Sequence, residues 1–189
     1  MLSKQERMKE LEKKVRDCHA CELWETRTHA LLGEGSLDAE IMFIAEAPGY
    51  NEDLQGKHFI GKAGKVFDEL LDSIKLNREE IYITNVLKCK LPKRKIKEEY
   101  VKKCTPYLDK QIDIIKPKII VPLGKLAASY VFKRYKIKEQ PIGEVHGKVF
   151  VVNTLFGQVK VLPQFHPAVV TYNSEMLQVL IRDFRKIKE

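Results

Sequence analysis

The chain has 189 residues, of which 44% are hydrophobic and 32% charged. That is enough apolar material for one core, so we expect a single domain spanning 1–189, and it excludes wholesale disorder. Lysine plus arginine number 34 against 26 acidic residues, a net charge of +8 with pI about 9.2. This balance favours a polyanionic partner, of which nucleic acid is the commonest, although a Lys/Glu-rich surface also suits high temperature.

In chain order, the charged N-terminus carries Met8, Leu11 and Val15 at helical spacing. It lacks the apolar centre of a signal peptide, and no apolar run approaches the ~20 residues of a membrane helix. The expectation is a cytoplasmic protein with no membrane partner. Strand-like runs follow at 41–45 (IMFIA), 81–86 (IYITNV), 118–123 (KIIVPL), 149–152 (VFVV) and 159–162 (VKVL). The first three are continuous and apolar, as buried parallel strands are. Helical patterns fall between them at 65–74, at 97–115 (stopped by Pro117), at 126–132, and at 175–187. Strands alternating with helices predict an α/β domain built from βαβ units.

In such a sheet, ligands bind beyond the carboxyl ends of the strands. That rule points to Glu46-Ala47-Pro48-Gly49, to Asn85, and to His166-Pro167. Glu46 to Gly49 is no phosphate loop, because it has neither GxxxxGK[ST] nor GxGxxG. Pro48 and Gly49 make a tight turn that exposes backbone N–H groups, with a plain turn or a helix-capping carboxylate as the blander alternative. Asn85 ends an otherwise apolar strand, and its amide offers an acceptor and two donors in one plane, matching the edge of a base. Phe59, flanked by glycines, offers a face to a flat ligand or an anchor to the core. His166 follows the last strand, where a base, acid, electrophile or structural role is open to it. The other four histidines, His19, His29, His58 and His146, carry no spacing signal.

Cys18 and Cys21 form a CxxC, and Cys89 and Cys104 flank a basic loop. Four cysteines in a cytosolic chain point to one Cys₄ site, zinc or an iron–sulfur cluster, with unrelated buried thiols as the alternative. One CxxC, where zinc ribbons show two, favours the cluster. The pair precedes every predicted strand, which argues against a thioredoxin-like redox motif.

Taken in order, these stretches resemble the family 4 uracil-DNA glycosylases, iron–sulfur enzymes of thermophilic archaea and bacteria. The resemblance rests on Cys18-x-x-Cys21, Glu46-Ala47-Pro48-Gly49-x-x-Glu52-Asp53, Gly56-x-x-Phe59-Ile60-Gly61-x-Ala63-Gly64, Tyr82-Ile83-Thr84-Asn85-Val86-x-Lys88-Cys89, Cys104, and His166-Pro167-Ala168. It implies a three-layer domain with a central four-stranded parallel sheet, the uracil-DNA glycosylase fold. It implies a [4Fe–4S] cluster on Cys18, Cys21, Cys89 and Cys104. It also implies uracil binding by Glu46, Ala47, Pro48, Gly49, Phe59, Asn85 and His166. In that scheme Phe59 stacks on the base, Asn85 reads its amide edge, and His166 with nearby backbone N–H groups stabilises the departing anion.

The chain departs from the family pattern at Ala45, usually Gly, in the loop 91–98, and after Pro167. Ala47 stands where better-known uracil glycosylases of another family place an Asp, which leaves Glu46 as the candidate to orient water. Gly49 is expected to keep a side chain away from the base edge. Flipping a base from a duplex needs apolar side chains at the stack and cations on phosphates. Val169, Val170 and Tyr172 are the candidate wedge; Lys93, Arg94, Lys95 and Lys97 are the candidate clamp. The expected partner is uracil-containing DNA, double- or single-stranded, engaged by a monomer. A sliding clamp is an open partner, with no clamp-binding peptide evident at either terminus. Two rival readings are a non-enzymatic zinc or iron–sulfur nucleic-acid-binding module and a small-molecule enzyme such as a nucleotide hydrolase. The first leaves Glu46, Asn85 and His166 unexplained, and the second leaves the wedge and the basic loop unexplained.

Overall fold

A computed structural model describes residues 2–93 and 95–189. Arg94, one of the candidate clamp residues, lies outside them. The described strands are β1 (Gly33–Gly35), β2 (Ile41–Ala45), β3 (Ile81–Asn85), β4 (Ile119–Pro122), β5 (Phe150–Thr154) and β6 (Gly157–Val161). The helices are α1 (Lys4–Arg16), α2 (Tyr50–Gln55), α3 (Lys62–Ser73), α4 (Glu98–Ile115), α5 (Lys125–Arg134), α6 (Ile142–Val145) and α7 (Met176–Arg185).

The strands form one sheet in the order β1-β3-β2-β4-β6-β5. Its centre, β3-β2-β4-β6, is parallel throughout. Thus the four-stranded parallel sheet is present, but β1 and β5 extend it to six strands by antiparallel pairing at the two edges. Edge strands leave one row of backbone groups unpaired, and short or half-exposed strands tolerate that position best. β1 is three residues long, and β5 alternates partly buried with exposed residues.

The central strands are apolar along their whole length because both faces are covered. Met42 and Ile44 of β2 face one cluster, with Leu11 and Val15 of α1, Leu108 and Ile112 of α4, and Val131 of α5. Phe43 and Ala45 face the other, with Phe67 and Leu70 of α3 and Leu180 and Phe184 of α7. Each such buried side chain contributes about 1.5–3 kcal/mol, so the three layers follow from the period-2 alternation of the strands.

Local signals agree with this packing. Ser3 and Glu6 close a capping box at the start of α1. α4 ends at Lys116 in the left-handed conformation, immediately before Pro117. Among the described residues, no helix is long and apolar enough to cross a membrane.

Candidate active site and cysteine cavity

Parallel strands place their carboxyl ends side by side. Ala45 is in register with Asn85, Val86 N–H donates to Ala45 O, and Leu87 N–H donates to Glu46 O (2.9 Å each). On the other flank, Leu123 bridges to Gln164, two residues before His166. The segments after β2, β3 and β6 therefore meet at one end of the sheet.

His58 and Phe59 connect these walls. Asn85 Nδ2 lies 3.2 Å from His58 Nδ1. The Phe59 ring stacks on Phe67 at 4.5 Å on the core side, and lies near-parallel to the His166 ring at 5.7 Å. Phe59 is only 6% exposed and has φ 50°, a conformation uncommon for an aromatic residue. It persists because every nearby peptide is tied. His58 N–H donates to Glu34 Oε2 (3.1 Å), and Arg78 donates to His58 O (3.0 Å) and Phe59 O (2.7 Å). Ile60 and Gly61 N–H donate to Glu52 Oε1 at 3.3 and 3.2 Å. Gly64 lets the start of α3 pass directly over this strap, since a Cβ there would lie 1.9 Å from Phe59 O.

The turn after β2 places Pro48 in the interior and leaves Glu46 and Ala47 partly exposed. A Cβ on Gly49 would meet Glu52 Oε2 at 2.4 Å. The side chain that Gly49 makes room for is therefore the Glu52 carboxylate that holds the Phe59 strap. Asp53, fully buried, receives Lys90 Nζ (2.7 Å) and the N–H groups of Thr28 (2.9 Å) and His29 (3.3 Å). Burial pushes its carboxyl up, but these donors outweigh that and hold it below the ordinary range.

His166 is oriented from both sides. Its Nδ1 accepts the Ala168 N–H at 3.1 Å, so the neutral ring carries its hydrogen on Nε2. Burial holds its pKa down to about 4, against a smaller opposing pull from Glu52. The preceding Phe165 leans on His146 (4.5 Å), whose Nδ1 meets buried Asp183 at 2.6 Å. After His166, Val169 and Val170 pack partly buried against the core, while Tyr172 is 80% exposed. Of the candidate wedge, only Tyr172 stands out from the surface. Lys93 and Lys95 are exposed, whereas Lys97 is paired with Glu22 at 2.5 Å.

Behind Asn85 lies a buried polar network absent from the sequence reading. Lys88 Nζ donates to Asn85 O (2.6 Å), Thr84 Oγ1 (2.7 Å) and Gln111 Oε1 (2.5 Å). Gln111 Nε2 donates to Leu32 O and Tyr82 Oη, both at 2.9 Å. Burial lowers the Lys88 pKa to about 7, while Cys104 and Cys89 pull it upward. A lysine ending an apolar strand reads in sequence as a surface residue, and Gln111 lies on a distant helix.

The next residue is Cys89. All four cysteines line one cavity, with Val15, Leu23, Trp24, Arg27 and Tyr107 around them. Arg27 Nη1 donates to Cys89 Sγ (3.3 Å), and Lys88 N–H donates to Cys104 Sγ (3.2 Å). Burial raises the Cys89 thiol and pushes Cys104 up to about 12. Among the described residues, no three ligand side chains converge on a point as one ion requires. A zinc ion would draw four sulfurs to about 3.8 Å of one another, from its 2.3 Å bonds.

Comparison with known proteins agrees with this architecture. The family model described as "Uracil DNA glycosylase superfamily" matches residues 32–186, and the chain belongs to that superfamily. Within it, the chain is similar to proteins named type-4 uracil-DNA glycosylase. The protein from Saccharolobus solfataricus is 46% identical over 177 residues, 93% of this chain and 82% of the relative. Those from Sulfurisphaera tokodaii and Archaeoglobus fulgidus are each 42% identical, covering 96% and 97% of this chain and 84% and 93% of the relatives.

Proposed function

We propose that the chain is a monofunctional uracil-DNA glycosylase of base excision repair. It flips uracil out of DNA and hydrolyses the N-glycosidic bond, so that water and uracil-DNA give free uracil and an abasic site. The observation that carries this reading is His166: a neutral imidazole, fixed by Ala168 N–H, with its Nε2 hydrogen available beside the Phe59 ring.

Bond cleavage leaves positive charge on the sugar and negative charge on the base. A preorganised donor in a water-poor pocket stabilises that anion where it develops. Neutral His166 donates from Nε2 to the O2 side of the base, Phe59 supplies the stacking face, and Asn85 reads the N3–H and O4 edge. Glu46 orients the attacking water, and the backbone of the 46–49 turn closes the pocket. Lys93, Lys95 and Tyr172 meet the DNA strand, the lysines through phosphates and Tyr172 by stacking.

Cys18, Cys21, Cys89 and Cys104 fit a [4Fe–4S] cluster. The Cys89 and Cys104 thiols, which burial makes costly to ionise, would with Cys18 and Cys21 hold the iron as thiolates. The bound cluster supplies a structural tie rather than electrons, because glycosidic hydrolysis moves none.

The test is single-turnover cleavage of uracil-containing oligonucleotides, single- and double-stranded. Wild-type protein releases uracil from both. His166→Ala lowers the rate by about 10²–10³, and an undiminished rate removes His166 from the mechanism. Glu46→Gln, assayed separately for cleavage and for free-uracil affinity, lowers the first and spares the second.

A further inference from the structure

His58 is 3% exposed, and burial, with Lys88 and Arg78 nearby, drives its pKa down to about 3. The ring is therefore neutral. Its Nε2 is buried without a hydrogen-bond partner among the described residues. Its Nδ1 has one neighbour, Asn85 Nδ2 at 3.2 Å. A polar ring satisfied on one side only is a poor core filler, since an apolar side chain of similar size avoids the desolvation cost. An unsatisfied group of this kind calls for a reason.

We propose that His58 is a positioning residue that fixes which way the Asn85 amide faces and thereby selects uracil over cytosine. The inference rests on the uracil-reading role assigned to Asn85 above. An amide nitrogen donates and cannot accept, so His58 Nδ1 accepts and the ring hydrogen sits on Nε2. One Nδ2 hydrogen is then committed to His58. The other, beside Oδ1, forms a donor–acceptor pair on the opposite edge. Oδ1 accepts from uracil N3–H, and Nδ2 donates to uracil O4. Rotating the amide by a half turn exchanges these groups. It would then donate to N3 and accept from the exocyclic amine of cytosine. With the ring hydrogen on Nε2, that rotation also sets Oδ1 against the His58 Nδ1 lone pair, two acceptors face to face, and only transfer of the hydrogen to Nδ1 relieves it. The local backbone secures the arrangement, because Glu34 and Arg78 hold the His58 peptide and Lys88 holds Asn85 O.

The experiment combines long-range ¹⁵N–¹H correlation of the histidine rings in the wild-type protein with competition by free uracil and free cytosine against a uracil-containing oligonucleotide. The His58 ring is expected as the Nε2–H tautomer. His58→Leu is expected to weaken uracil binding about tenfold, one hydrogen bond's worth, and to narrow the uracil-to-cytosine ratio. His58→Asn, which returns an acceptor near the Nδ1 position, is expected to restore both. An Nδ1–H tautomer in the wild type overturns the proposal even if the leucine variant fails to fold. So does a folded His58→Leu with unchanged affinity and ratio. If wild-type protein releases no uracil from DNA, the functional reading fails instead, and the tautomer still decides how the amide is oriented.

Discussion

Two histidines lie close to one end of the sheet, and both are held neutral by burial, His58 at about 3 and His166 at about 4. Their ordinary value is 6.5, so folding lowers both. A lowered histidine contributes its full stability above the unfolded value, and loses it as pH falls toward the folded one. Thermal melts should show stability declining from about pH 6.5 downward as the unfolded chain takes up protons that the folded chain refuses. Single-turnover cleavage should behave differently. Because the donor is the neutral ring, whose Nδ1 accepts from Ala168, the rate should stay level as pH falls through 6.5 to about pH 5. A rate lost as pH rises through 6.5 would assign the donor role to a cationic histidine, and one lost as pH falls through 6.5 would show that the ring is not held neutral by the fold. Asn85 and His166 were legible in the sequence because each is a polar residue beyond an apolar run. His58 was not, since its meaning comes from Asn85, on a strand reached only after α3.

The elements that position the site divide in the same way. β2, β3 and β4 were legible from continuous apolar runs, β6 from the shorter, lysine-interrupted run VKVL, and α1, α3, α4, α5 and α7 from helical spacing. β1 was not, because Gly33-Glu34-Gly35 holds no strand-forming side chain, and α2 is shorter than a periodicity window. Even so, Glu34 on β1 and Glu52 on α2 hold the Phe59 strap between them. Gln111 of α4 meets Tyr82 and Thr84 of β3 directly and Lys88 just beyond it. Lys88→Met removes the ammonium donor from Gln111 Oε1 and Asn85 O, and should cost about 1–3 kcal/mol. Adding Gln111→Leu should cost less than the sum of the single changes, because the pair forms one network. Denaturant midpoints of the two single variants and the double variant measure this, and strict additivity would show that the network does not act as a unit.

At the scale of the molecule, the cysteines that line one cavity come from regions the sheet alone does not bring together. Cys18 and Cys21 follow α1, Cys89 lies on the segment leaving Asn85, and Cys104 belongs to α4. Iron analysis of protein purified without air should give about four irons per chain with visible charge-transfer absorbance. Cys104→Ser should lose most of both, lower the melting temperature, and weaken uracil binding through the displaced Asn85 segment. Four cysteines with one CxxC were enough to suggest the centre from sequence. The part-buried donors to Cys89 and Cys104, from Arg27 and the Lys88 peptide, needed the fold. The excess positive charge is spread over the chain, and sequence could not show that Lys97 is already engaged by Glu22.

The strand order also has a kinetic meaning. β2 lies between β3 and β4, and β6, which leads to His166, pairs with β4. Glu46 can meet Asn85 once β3 has docked, but His166 arrives only after β4 and β6 have joined the sheet. Such distant pairings close long loops and form late. During refolding, core fluorescence and helicity should therefore return before base binding does, and a chain emerging from the ribosome acquires its pocket only after His166 has been made.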